Sequence, residues 1–96
     1  MNKIEHLLTI LSEECGEVIQ ITSKILRFGE DDHHPSSPQS NGQLLIKELN
    51  DILGVVELLE ENGFDVTDFA NFDDIEKKKS KVKHYMNYSK EIGKIE

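Results

Sequence analysis

Five acidic residues in two segments of the chain have the spacing of a metal site. Glu13, Glu14 and Glu17 lie close together in the first segment, and Glu48 and Asp51 form a similar pair in the second. On a helix, residues three or four positions apart project from neighbouring positions, so each segment presents a group of adjacent carboxylates. Oxygen ligands of this kind favour Mg²⁺ or Mn²⁺ over zinc.

The two acidic segments can bind the same metal ion only if the fold brings them together. If the two helices pack as an antiparallel hairpin, four or five carboxylates surround one point, which is costly in a partly dry site without a cation. Cations held there can bridge phosphate oxygens, lower the pKa of an attacking water and stabilise a leaving group. The alternative for either segment alone is a solvated acidic helix face, the commoner fate of carboxylates.

Hydrophobic periodicity predicts that both acidic segments lie on helices. Apolar residues recur at intervals of three and four over residues 2–28, with Asn2 as the expected N-cap and Gly29 as the C-terminal stop. A second pattern of this kind covers about residues 43–62 and ends at Gly63. The acidic groups border the apolar stripes of these two predicted helices, where they can approach the core.

The rest of the sequence indicates a polar loop and a third helix. Residues 29–42 contain both prolines and almost nothing apolar, so they are expected to form a mobile loop. Asp65 or Thr67 is expected to cap a third helical region, and Asp73 and Asp74 to open its main segment. Apolar residues continue at helical spacing over about 75–92. With no strand-like alternation, the sequence predicts an all-α single domain over residues 1–96.

Composition limits the partners and the core of this chain. A net charge of −8, without a basic stripe interleaved with aromatics, argues against nucleic-acid polymers and anionic membranes as partners. In 96 residues of which 36% are hydrophobic the core must be thin, so oligomerisation is expected. Cys15 is expected to be a buried, inert thiol. Because no signal-type or spanning apolar segment occurs, a cytoplasmic location is expected.

The acidic pattern and its surroundings resemble the MazG-like group of all-α nucleotide pyrophosphohydrolases. Glu-Glu-x-x-Glu at residues 13–17 is followed by Glu-x-x-Asp at 48–51, in order and on adjacent predicted helices. Residues 11–20, 23–29 and 48–53 are also similar to the corresponding segments of compact, often phage-encoded members. The resemblance covers nearly the whole chain, although the stretch between the two acidic motifs is long for the group.

The resemblance implies Mg²⁺-dependent hydrolysis of a nucleoside or deoxynucleoside triphosphate to the monophosphate and pyrophosphate. Its implied metal ligands are Glu14, Glu17, Glu48 and Asp51, with Mn²⁺ as a substitute ion. Glu13 would help to orient the water, so Glu13 and Glu17 are the expected catalytic residues. The expected assembly is a homodimer or homotetramer of the four-helix-bundle type. Its expected role is house-cleaning or trimming of the deoxynucleotide pool, in the host cytoplasm if the chain is phage-encoded.

Four basic residues and one tyrosine are candidate substrate contacts. Lys24 lies on nearly the same helical face as the first acidic group, so its ammonium is expected to reach phosphate oxygens, and Arg27 is rotated further away. Lys78 and Lys81 resemble the basic positions that hold the polyphosphate in this group, and Tyr88 is a candidate for stacking on a base. The alternatives are a helix-dipole contact for Lys24, a solvated basic face and ordinary aromatic packing.

A second hypothesis, from another class of function, is a non-catalytic helical dimer whose acidic surface binds a basic protein partner. Its support in the sequence is the net charge of −8 and the mixed charge of the third predicted helix. Binding of Mg²⁺ and of nucleotides separates this interaction module from the enzyme.

Overall fold

The computed structural model describes all 96 residues, which form three α-helices and no strand. The helices are α1 (Lys3–Phe28), α2 (Asn41–Glu61) and α3 (Phe72–Glu91). The predicted all-α class is therefore confirmed. By their contacts the residues divide into two compact units, of which Met1–Val66 holds α1 and α2 and Thr67–Glu96 holds α3.

Helix α1 starts and ends at the residues that the sequence predicted as its caps. The Asn2 side chain accepts a hydrogen bond from the Glu5 backbone N–H at 2.8 Å, and the Asn2 backbone N–H donates to Glu5 Oε1 at 3.1 Å. This reciprocal capping box satisfies two backbone groups that a helix start leaves without partners. At the other end Gly29 has φ 94° and its N–H donates to Ile25 O, so the chain leaves the helix there.

The second helix begins two residues before its predicted start, because Ser40 caps it. Ser40 Oγ accepts from the Gln43 N–H at 3.2 Å, and Gln43 Oε1 accepts from the Ser40 N–H at 2.9 Å. This second capping box brings Asn41 and Gly42, which were predicted as loop, into the helix. The predicted end is confirmed, since Gly63 follows the last turn with φ 92°.

The hairpin of α1 and α2 is antiparallel and holds the core of the first unit. Near one end Leu7 packs with Val55 and Leu59. At the other end the Asn41 side chain donates to Gly29 O at 3.1 Å, and the Gly42 N–H donates to Glu30 O at 2.9 Å. These contacts join the start of each helix to the end of the other, so the middle of α1 lies opposite the first half of α2.

The third helix begins where the sequence predicted its main segment, since Asp73 and Asp74 lie in its first turn. An earlier helical region capped by Asp65 or Thr67 was also expected, but that prediction is wrong, because residues 67–70 form turns and Ala70 has φ 59°. A positive φ cannot continue a right-handed helix. Asn71 is the N-cap instead, and its side chain accepts from the Asp74 N–H at 3.0 Å.

Only four apolar side chains of the chain are buried, as the small size and composition led us to expect. The prediction that Cys15 is buried is wrong, because it is exposed. It lies on the side of α1 turned away from α2, in an outer stripe that we define as Leu8, Cys15, Ile19 and Leu26. None of the three helices combines the length and the apolar character that crossing a membrane requires.

We expect Leu59→Ala to lower the free energy of unfolding by about 2–4 kcal/mol, because Leu59 is only 2% exposed in the core of the hairpin. Urea denaturation at a fixed protein concentration measures the loss. The control is Leu26→Ala, since Leu26 is 87% exposed and its truncation should cost less than about 0.5 kcal/mol. Equal losses in the two variants would contradict this assignment of the core.

Candidate metal centre

Carboxylates from α1 and α2 meet across the hairpin. Glu14 and Glu17 lie one turn apart on α1, and the antiparallel packing places Glu48 of α2 beside them. Each of the three residues offers a carboxylate oxygen, and these oxygens all lie within 4.8 Å of one another. We refer to Glu14, Glu17 and Glu48 as the glutamate cluster.

Two oxygens of the glutamate cluster are buried without a hydrogen-bond partner. They are Glu14 Oε2 and Glu48 Oε2, one from each helix. The Glu48 side chain is only 14% exposed, so water has little access to it. A buried acceptor without a donor costs about 1–3 kcal/mol, and more if it is charged. Such a pair of oxygens is the arrangement that a cation placed between them would relieve.

The cluster also changes the proton affinity of Glu17. Glu48 raises the pKa of Glu17, first through a hydrogen bond between the two carboxyls and then through repulsion between their charges. Partial desolvation and the charge of Asp51 raise the pKa further, while the ammonium of Lys47 opposes them. The raised pKa therefore reflects how close the Glu17 and Glu48 carboxyls lie across the hairpin.

Asp51, the fourth predicted ligand, is paired with a lysine. Lys47 Nζ lies 2.7 Å from Asp51 Oδ2 and 3.9 Å from Glu48 Oε1. The pKa of Lys47 is raised, chiefly by its hydrogen bond with Asp51 and then by the charges of Asp51, Glu48 and Glu14. An ammonium therefore lies against the acidic seam between the two helices and partly compensates its charge.

The sequence analysis did not single out Lys47. Its position was informative, because it directly precedes Glu48 and stands four residues before Asp51, a spacing that favours an ion pair along one helix face. The side chain is about half exposed, and a surface pair of this type contributes little stability by itself. Lys47 can therefore leave the carboxylate at small cost.

The other predicted residues of the first unit lie at different distances from the cluster. Glu13 is exposed and does not belong to the three-carboxylate group. Lys24 lines a cavity of about 190 Å³ together with Glu17 and Glu48, so it faces the same space as the carboxylates. The Arg27 guanidinium lies 5.0 Å from the centre of the Phe28 ring, in a cation–π contact.

The three predicted substrate contacts on α3 belong to the second compact unit. Lys78 and Lys81 line a cavity of about 280 Å³ within that unit, whose remaining lining residues are Val82, Tyr85, Met86, Ser89 and Ile95. Tyr88 is exposed and is not among these lining residues. The contacts of these three side chains with a substrate stay predictions.

Comparisons of the chain with protein-family models, with curated proteins and with solved structures found no match. The geometry of the glutamate cluster and the sequence pattern are therefore the support for a functional assignment.

We expect the metal-free protein to lose stability as the pH rises above 4.5, the ordinary pKa of a glutamate, because the folded chain holds the Glu17 proton more tightly than the unfolded chain. The loss ends once the pH exceeds the raised pKa. Glu17→Gln removes it, so the urea midpoint should vary less with pH in this window.

The matched control is Glu13→Gln, which removes an exposed carboxylate of the same helix and should leave the pH profile close to that of the parent chain. Both series are measured with a chelator present. If Glu17→Gln and the parent chain gave parallel profiles, the coupling between Glu17 and Glu48 would be refuted.

Proposed function

We propose that this protein is a Mg²⁺-dependent nucleoside-triphosphate pyrophosphohydrolase, which splits its substrate into the monophosphate and pyrophosphate. The observation that carries the proposal is the pair of buried glutamate oxygens from two helices that have no hydrogen-bond partner. The MazG-like sequence pattern supplies the reaction, because its acidic motifs coincide with the residues that form the cluster.

The residues present fit a magnesium ion. Glu14, Glu17 and Glu48 supply only oxygen donors, and their ligand atoms are already grouped within 4.8 Å of one another. Glu14 and Glu48 are half-buried and Glu17 is exposed, so the cluster is closed on its protein side and open to a ligand on the other. A bound Mg²⁺ would neutralise phosphate charge and help to activate a water for the hydrolysis.

We assign substrate binding and the orientation of the attacking water to side chains around the cluster. Lys24 lines the same cavity as Glu17 and Glu48, which supports its proposed contact with phosphate oxygens. Arg27, Lys78, Lys81 and Tyr88 remain further proposed contacts. Glu13 is exposed one position before Glu14, and we propose that it orients the attacking water from outside the cluster.

Lys47 has a separate role in this proposal. Without a metal its ammonium holds Asp51 at 2.7 Å and lies near the cluster, where it reduces the repulsion between carboxylates. Release of Asp51 from this pair frees the fourth predicted ligand for the ion. Lys47 thus competes with a divalent cation for the same carboxylate, and its exposed side chain allows it to move away.

We also propose that the active form is a homo-oligomer, a homodimer or homotetramer of the four-helix-bundle type. The outer stripe of α1 supports this proposal, because Ile19 is 69% exposed and Leu26 is 87% exposed. On α2, Ile46 at 58% and Leu53 at 46% add further exposed apolar surface. A chain with four buried apolar side chains gains stability if such surface is covered.

We expect the protein to release pyrophosphate from at least one nucleoside triphosphate in the presence of Mg²⁺. The products are identified by ³¹P NMR on a panel of ribo- and deoxynucleoside triphosphates that includes noncanonical bases, since monophosphate plus pyrophosphate differs from diphosphate plus phosphate. Glu48→Gln should lower kcat/KM more than roughly 100-fold, because it neutralises a carboxylate of the cluster that is only 14% exposed.

The control for this experiment is Glu57→Gln, an exposed residue of the same helix outside the cluster, which should keep full activity. Calorimetric titration with Mg²⁺ accompanies the assay. Absence of both pyrophosphate release and Mg²⁺ binding would reject the enzyme and favour the acidic interaction module, whose partner would be a basic protein.

We expect Lys47→Met to raise the affinity for Mg²⁺ roughly three- to tenfold, because the substitution removes the ammonium that competes for Asp51. The same variant should be less stable than the parent chain when a chelator is present, since the carboxylates lose their compensating charge. The matched control is Lys79→Met, which breaks a lysine–glutamate pair of 3.1 Å on α3. A weaker affinity for Mg²⁺ in Lys47→Met would contradict the competition.

A further inference from the structure

A second cavity lies at the end of the hairpin where residues 29–42 connect the two helices. It has a volume of about 210 Å³, and we call it the loop cavity. Its lining residues are Lys24, Phe28, Asp32, His33, His34, Pro35, Asn41 and Leu44. Three of these side chains are flat aromatic rings, which can stack on another ring.

The loop cavity adjoins the cavity at the glutamate cluster, because Lys24 and Leu44 line both. Each cavity alone is smaller than the roughly 300–1,000 Å³ of typical ligand sites. A ligand the size of a nucleotide therefore has to span the two. The groove that they form runs from the carboxylates past a lysine to a group of aromatic rings.

The order of side chains along α1 matches the order of the phosphates and the base in a nucleotide. At 1.5 Å per residue, Lys24 lies about 10 Å from Glu17 along the helix, and Phe28 lies about 6 Å beyond Lys24. A metal-bound polyphosphate at the cluster would thus be followed by a cation and then by apolar rings. The chemical order in the groove matches phosphates first and a flat heterocyclic base last.

Asn41 supplies a polar contact inside the loop cavity. It is only 5% exposed, and its Nδ2 donates to Gly29 O at 3.1 Å, which fixes the orientation of the amide. Its backbone N–H donates to Asp32 O. An amide oxygen held in this way is able to accept a hydrogen bond from a base N–H.

Local hydrogen bonds also hold the two histidines of the loop. His34 Nδ1 accepts from the Ser36 backbone N–H at 3.1 Å and lies 2.6 Å from Ser36 Oγ. His33 Nδ1 lies 3.0 Å from His34 O. Both rings are thereby kept at the cavity, where they face the same space as Phe28.

We propose that the loop cavity binds the base of a nucleotide whose phosphates lie at the glutamate cluster, an inference that rests on the proposed function. Phe28 and the histidine rings stack on the base, and Asn41 Oδ1 accepts a hydrogen bond from one of its N–H groups. Residues 29–42 are then the segment that determines which bases are accepted.

The test compares a nucleotide with a polyphosphate that has no base, using the full chain labelled with ¹⁵N in the presence of Mg²⁺. The probes are the α,β-methylene analogues of ATP, GTP, CTP and UTP on one side and inorganic tripolyphosphate on the other. Both kinds of ligand should shift the backbone amides near Glu17, Lys24 and Glu48. Only the nucleotide analogues should also shift those of Phe28, His34 and Asn41.

The possible outcomes separate this inference from the proposed function. If the nucleotide analogues, like tripolyphosphate, shifted amides at the cluster but none of those of Phe28, His34 and Asn41, the base pocket would be refuted while the metal and phosphate site remained. If no probe shifted any amide of either cavity, both proposals would be rejected. Shifts at the loop cavity with a nucleotide alone would support the base pocket even if no hydrolysis of the parent triphosphates were found.

Substitution of the aromatic residue adds a second test. Phe28→Ala should weaken binding of the preferred nucleotide analogue roughly tenfold, because stacking on that ring is lost, and should leave binding of tripolyphosphate unchanged. Phe28→Trp should restore the affinity. Phe72→Ala is the matched control, since Phe72 is 73% exposed and lines neither cavity. Equal affinities of Phe28→Ala and the parent chain would overturn the assignment.

Discussion

The main constraint on the hairpin is the contact that its antiparallel packing imposes between carboxylates of α1 and α2. Antiparallel packing buries one oxygen of Glu14 and one of Glu48 in the seam, where neither accepts a hydrogen bond. The third member, Glu17, responds to Glu48 with a raised pKa. A protein that needed only a stable hairpin would gain by placing apolar side chains there, because unpaired buried carboxylates cost free energy. This cost supports the proposal that the glutamate cluster binds a cation.

The same contact explains the position of Lys47. Its ammonium binds Asp51 and lies near Glu48, so part of the negative charge of the seam is compensated from within α2. The compensation is incomplete, since one cation faces four carboxylates of which two have a buried, unpartnered oxygen. In the proposed enzyme, Mg²⁺ would stabilise the fold as well as support the chemistry, because an ion that binds only the folded chain shifts the folding equilibrium.

Local rules predicted most of the helices, and the failures have identifiable physical causes. Asn2 and Gly29 delimit α1, as their capping chemistry indicated. No helix begins at Asp65 or Thr67, because the backbone of Ala70 has a positive φ that its residue type does not indicate, and α3 starts only after Asn71. Three of the four predicted metal ligands, Glu14, Glu17 and Glu48, lie together as the sequence indicated. The ion pair of Asp51 with Lys47 was not predicted, because it depends on side-chain conformations that helical spacing does not determine. Burial of Cys15 was predicted wrongly because periodicity shows that a face is apolar and does not show what covers it.

Different faces of helix α1 form three separate surfaces, and this explains why the core is small. One face packs through Leu7 against α2, a second carries the glutamate cluster, and a third presents the exposed outer stripe that includes Ile19. A 26-residue helix has too few positions to give each surface a wide apolar band, so the buried face stays narrow. If the outer stripe is covered by a second copy, as we propose, α1 becomes buried on two sides. The acidic face and the groove towards Phe28 then remain as the surfaces of α1 that are free to meet a small ligand.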